Sequence, residues 1–69
     1  MDKEQLVSVY IGLLEVDQNG IENSVPSIAE QVEFDEQQTE LLLDELEHMG
    51  LIEMEGEEWV PILFREQDG

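Results

Sequence analysis

A chain of 69 residues has room for one domain with a small core, and the absence of cysteine excludes a disulfide framework and a thiolate metal site. Nineteen Asp and Glu against two Lys and Arg leave a formal charge of −17, about one quarter of a net negative charge per residue. With a mean hydropathy of −0.31, that composition lies near the border of disordered chains, so folding at low salt requires a well-organised apolar pattern.

Asp2 and Gln5 have capping-box spacing, and they open a helix expected over about residues 3–17. Leu6, Val9, Tyr10 and Leu13 recur at helical spacing, and Val7, Ile11 and Leu14 widen the stripe. Gly12 within it points to a close helix contact, and Asn19-Gly20 supplies the stop. Ser24 is placed to cap a second helix over about 25–32, with Pro26 in its first turn. Asp35 caps a third over about 36–49, with Gln38 as reciprocal partner. Leu42, Leu43, Leu46 and Met49 make its apolar face, and Gly50 ends it. From Leu51 the period shortens, and Gly56 between Leu51–Met54 and Glu58–Val60 marks a tight β-hairpin over about 51–60. Pro61 lacks a backbone donor, so pairing is expected to end there or to lie on an edge. Ile62-Leu63-Phe64 extends the strand or packs back onto the first helix, and a polar, frayed end is expected over 66–69. The fold class is α+β, mostly α: three helices followed by a small antiparallel hairpin in a single domain.

The segment VPSIAEQVEFDEQQTELLLDELEHMGLIEMEGEEW, within Val25 to Val60, resembles the winged helix-turn-helix domains of small MarR-type transcription regulators. In that family a P-x-x-A-E helix, here Pro26 to Glu30, precedes the recognition helix. Leu46-Glu47-His48-Met49-Gly50-Leu51-Ile52 matches the phrase that leads into the wing. The resemblance covers about half of the chain. Glu33 departs from it, standing where such turns often carry glycine. The family implies DNA binding through the third helix, with Gln37, Gln38, Thr39 and His48 as the base-facing or backbone-facing groups.

Charge argues against that inheritance at ordinary salt. DNA affinity comes largely from Lys and Arg neutralising phosphates, and the third helix has neither. Its outward positions carry Glu36, Glu40, Asp44 and Glu47, and the wing adds Glu55, Glu57 and Glu58. These seven carboxylates are the expected contact residues for a basic protein surface, such as a regulator, a polymerase subunit or a nucleic-acid enzyme. The protein would then act in regulation, in the manner of a DNA mimic. The alternative is a DNA-binding regulator of a halophilic organism, its acidity matched to salt that shortens the Debye length to roughly 3 Å or less.

Other function classes find little support. Ser8, Ser24, Ser27 and Thr39 have no neighbouring base in a recognisable pattern, so neither catalysis nor a cofactor is expected. Asp17 to Glu22 has part of a calcium-loop pattern, but it lacks the alternating acids before the glycine and the closing glutamate, so no metal site is expected. No run is long and apolar enough for a membrane span, and MDKEQ lacks the marks of a signal peptide. A cytoplasmic location is the default expectation, with no membrane partner. Apolar surplus on the first helix and around Ile62-Leu63-Phe64 also allows a homodimer, which mutual repulsion opposes.

Overall fold

The computed structural model describes residues 2–62. Three helices, α1 (Lys3–Gln18), α2 (Val25–Val32) and α3 (Glu36–His48), precede an antiparallel hairpin of β1 (Ile52–Glu55) and β2 (Glu58–Pro61). The layout is mostly α and winged-helix-like, with element bounds within a residue or so of those read from the sequence.

Aspartates start the two longer helices. Asp2 Oδ1 accepts from Glu4 N at 3.2 Å, and Asp35 Oδ1 accepts from Gln38 N at 2.8 Å. The expected reciprocal halves of these caps are absent. Gln38 Nε2 instead donates to Gln5 Oε1 at 3.0 Å, so the two amides tie α1 to α3. Packing the helices side by side gives each amide a part-buried partner, whereas the cap N–H groups keep access to water. Ser24 likewise makes no side-chain cap; its hydroxyl donates to Ser27 Oγ at 3.2 Å.

All three helices end on a left-handed residue: Gly20 at φ 71°, Glu33 at φ 65° and Gly50 at φ 84°. After α1, Gly20 N donates to Asp17 O and Ile21 N to Val16 O. After α3, Gly50 N donates to Glu47 O and Leu51 N to Leu46 O. These paired bonds close the last-turn carbonyls. Glu33 reaches the same end without glycine, and both Glu33 N and Phe34 N donate to Ala29 O. The α2–α3 turn is therefore sharp despite the departure from glycine. A left-handed conformation costs an L-residue about 1–2 kcal/mol, part of which glycine's extra freedom in the unfolded chain takes back. Glu33→Gly is expected to raise unfolding free energy by about 1 kcal/mol in a urea titration. Glu33→Gln removes the same charge but keeps the strain, so equal gains from both variants would show that backbone strain plays no part.

One buried cluster joins the elements. Val9, Leu13 and Val16 of α1 meet Ile28 of α2, Leu42, Leu43 and Leu46 of α3, Ile52 of β1 and Trp59 of β2. α1 packs on both other helices, and at Gly12 a Cβ would collide with Cγ1 of Val32, which explains the glycine in mid-helix. The expected apolar faces are wider than the buried ones: Val7, Ile11 and Met49 are each about half exposed. A helix is covered only over the arc that faces its neighbours, and apolar residues beyond that arc stay in water.

The hairpin register runs from Ile52↔Pro61 to Glu55↔Glu58, with Gly56 at φ 64° in the two-residue loop. Pro61 takes the last ladder position, where its missing donor matters least. Trp59 N donates to Asn23 O at 3.0 Å, and Asn23 Nδ2 returns a bond to Trp59 O at 2.8 Å and another to Asp17 Oδ1 at 3.2 Å. Asn23 is buried, so a residue of the α1–α2 connector fastens β2 to the helices. Leu63-Phe64 and the end expected to fray lie outside the described residues. Among the described residues, no helix is long and apolar enough to cross a membrane.

Candidate partner-binding face

Successive positions three or four apart on a helix lie above one another, and α3 places Glu36, Glu40, Asp44 and Glu47 in this way. All four are exposed, as are Glu55, Glu57 and Glu58 of the hairpin. Of the apolar positions of α3, Leu42, Leu43 and Leu46 turn inward and are buried, whereas Leu41 stays in water. Lys3, at the start of α1, is the only lysine or arginine among the described residues.

The seven acidic candidates do not all line one cleft. Glu40 and Asp44 line a cleft of about 540 Å³ between α3 and β2, together with Asp35, Gln37, Gln38, Leu41 and Trp59. Glu36, Glu47 and the three wing glutamates are not among its lining residues. Trp59 is 6% exposed and belongs to the core, yet its Nε1–H has no acceptor among the described residues. Leu41, 59% exposed, lines the same cleft. Sequence reading missed Asp35, Leu41 and Trp59 as parts of one surface. A signal for Leu41 existed: in the run Leu41-Leu42-Leu43, residues 100° apart on a helix cannot all face one core.

The residues expected to read DNA are divided as well. Gln37 and His48 are exposed, and Gln38 is half-buried with its side chain bonded to Gln5. Thr39 is fully buried within the helical core, and its hydroxyl has no partner among the described residues. It is removed from the set of groups that can face a groove, because its position on α3 lies on the same side as Leu42, Leu43 and Leu46.

A second concavity, of about 260 Å³, lies where the start of α1 meets the end of α3. Its walls are Leu6, Val7, Tyr10, Leu46, Met49 and Leu51, with Lys3 at the edge. The Tyr10 hydroxyl is buried without a partner among the described residues, and burial pushes the phenol above its usual 10.0. Among the described residues, no three His, Asp or Glu are placed to hold a metal ion together. Asp17 to Glu22, the nearest approach to a calcium-loop pattern, forms the stop of α1 instead.

No protein-family model matches the chain, and neither a curated protein nor a solved structure matches it.

Proposed function

We propose that this chain is a regulatory protein-interaction module, of winged-helix type and similar to the small MarR-type transcription regulators, that presents an acidic face to a basic protein partner. The observation that carries this reading is the α3 stripe Glu36, Glu40, Asp44 and Glu47, exposed on a helix that contains no Lys or Arg. A phosphate backbone is repelled by that face, whereas a protein surface built to hold phosphates is attracted to it. The protein mimics DNA in charge, performs no catalysis, and associates quickly and with strong salt dependence.

The test is capture of partners on immobilised chain at about 0.1 M and about 1 M salt, where the Debye length falls from ~10 Å to ~3 Å. A DNA-binding partner should be retained at low salt, released at high salt, and displaced from duplex DNA by the free chain. The triple reversal Glu55→Lys, Glu57→Lys and Glu58→Lys changes six units of charge at the wing and should abolish retention. Unchanged affinity of the reversed chain removes the wing from the interface. Sequence-preferring binding of duplex DNA in molar KCl, with no protein retained, would instead establish the salt-adapted DNA regulator.

A further inference from the structure

The groove between the start of α1 and the end of α3 has no carboxylate in its walls, and at its edge stands Lys3, the only lysine or arginine among the described residues. Beside it, the outer face of α1 leaves Val7 and Ile11 about half in water, and the end of α3 leaves Met49 so. The other outward faces are acidic: α2 exposes Glu30, α3 its stripe and the hairpin its glutamates. Exposed apolar side chains that lie together within a polar rim mark a contact surface.

The order of charges along α1 says what covers it. Lys3, Val7, Ile11 and Glu15 follow one another at intervals of four, and all are exposed. Residues four apart form a ridge on a helix, and packing of two such ridges is the commonest class of helix contact. This ridge reads basic, apolar, apolar, acidic. Turned end over end it matches itself, because Lys3 and Glu15 are symmetric about the level of Val9, and so are Val7 and Ile11. Glu15 Oε1 accepts from Gln31 Nε2 at 2.8 Å, which positions the carboxylate, and a carboxylate has room for a further donor. A uniformly basic partner would suit one end of the ridge and an acidic partner the other. A second copy suits both, as a two-fold contact requires.

We propose that a second copy of this chain docks on this face, the two α1 ridges antiparallel, with Val7 against Ile11 and Lys3 against Glu15 across the two-fold axis. Met49 and Leu51, which wall the groove beside Val7, widen the apolar contact. Glu36, Glu40, Asp44 and Glu47 are not among the groove's walls, so the assignment is independent of the basic-partner reading. Salt separates the two. Each copy carries −17, so screening strengthens the pair, whereas it loosens an acidic face from a basic partner.

The experiment is sedimentation equilibrium of the full chain over a range of concentrations at about 0.1 M and about 1 M KCl, where the Debye length is ~10 Å and ~3 Å. The mass is expected to rise from 7.9 kDa toward twice that value, with a dissociation constant about tenfold lower at the higher salt. Ile11→Glu should leave a monomer at both salts. Ile21→Glu adds the same charge at an equally exposed residue outside the ridge, 47% against 48%, and should still dimerise. Lys3→Glu should weaken the pair about tenfold, and combining it with Glu15→Lys should restore the parent's affinity. The exchange leaves the net charge of the parent and suits the helix dipole, so the fold is kept, as far-UV circular dichroism of each variant checks. A chain that stays monomeric at both salts overturns the proposal. So does a dimer that survives Ile11→Glu, or one that Ile11→Glu and Ile21→Glu abolish alike. A dimer lost in Lys3→Glu and not recovered by the exchange overturns the antiparallel ridge.

Discussion

Leu42→Ala should leave the chain without cooperative structure at about 0.1 M KCl, while the adjacent Leu41→Ala should melt with the parent. Leu42 is fully buried among the side chains of all the elements, and Leu41 is 59% exposed. Truncating a buried leucine costs about 2.7–5 kcal/mol, the transfer term plus the cavity left behind. A single core below about 70–80 residues rarely supplies more than about 3–5 kcal/mol in total. A net charge of −17 adds self-repulsion that no large core offsets here. Far-UV circular dichroism with thermal melts tests this at about 0.1 M and about 3 M KCl. The parent should be folded at the lower salt and melt higher at the upper one, where the Debye length is below ~3 Å. Recovery of helix by Leu42→Ala at the higher salt would measure how much stability repulsion removes. A parent chain unfolded at the lower salt would mean that its acidity is matched to salt, and DNA regulation would become the leading reading.

The second large effect is expected at Asn23, from a change of one functional group. Asn23→Asp is nearly isosteric, but it exchanges an amide that donates to Asp17 Oδ1 and Trp59 O for a carboxylate facing those same acceptors. Two hydrogen bonds are lost and a charge is placed in a buried position beside another carboxylate and a carbonyl dipole. Breaking such a buried polar contact while leaving an uncompensated charge costs about 3 kcal/mol or more. Asn23→Ala, which removes the donor without adding charge, should cost about 1–3 kcal/mol. Urea titrations of the two variants separate the terms. Equal losses would show that the carboxylate escapes to water and that the site is looser than its geometry indicates.

The element order was legible because each element has its own period and its own stop. The apolar spacing of Leu6, Val9 and Leu13 marks α1, and Gly20, Gly50 and Gly56 fall where the backbone is left-handed. Even Glu33, which lacks glycine's freedom, ends α2 where the resemblance to a helix-turn-helix places the turn. What the sequence concealed were choices between partners of similar strength. Gln5 and Gln38 had spacing for local caps, yet the amides found each other across α1 and α3. Asn23 sat in a segment that read as a connector, and its bonds span 36 positions to Trp59. The acidic stripe on α3 followed from helical spacing, but the cleft did not. Its floor needs Trp59 from β2, and only the docking of the hairpin brings that residue to α3. Thr39 shows the converse: it is a polar residue inside a stretch of outward acids, yet it belongs to the core.

The fastening of β2 by Asn23 bears on the order in which the molecule assembles. An isolated two-stranded hairpin is at best marginally stable in water. This one gains its hold from Trp59 in the core and from the exchange of bonds between Trp59 and Asn23. Those contacts require the α1–α2 connector to be already in place, so loop closure over much of the chain precedes any reward for pairing. The hairpin is thus expected to form after the three helices have packed. Amides of the ladder should exchange with deuterium only when the hairpin opens, and loosening Asn23 should hasten unfolding far more than it slows refolding.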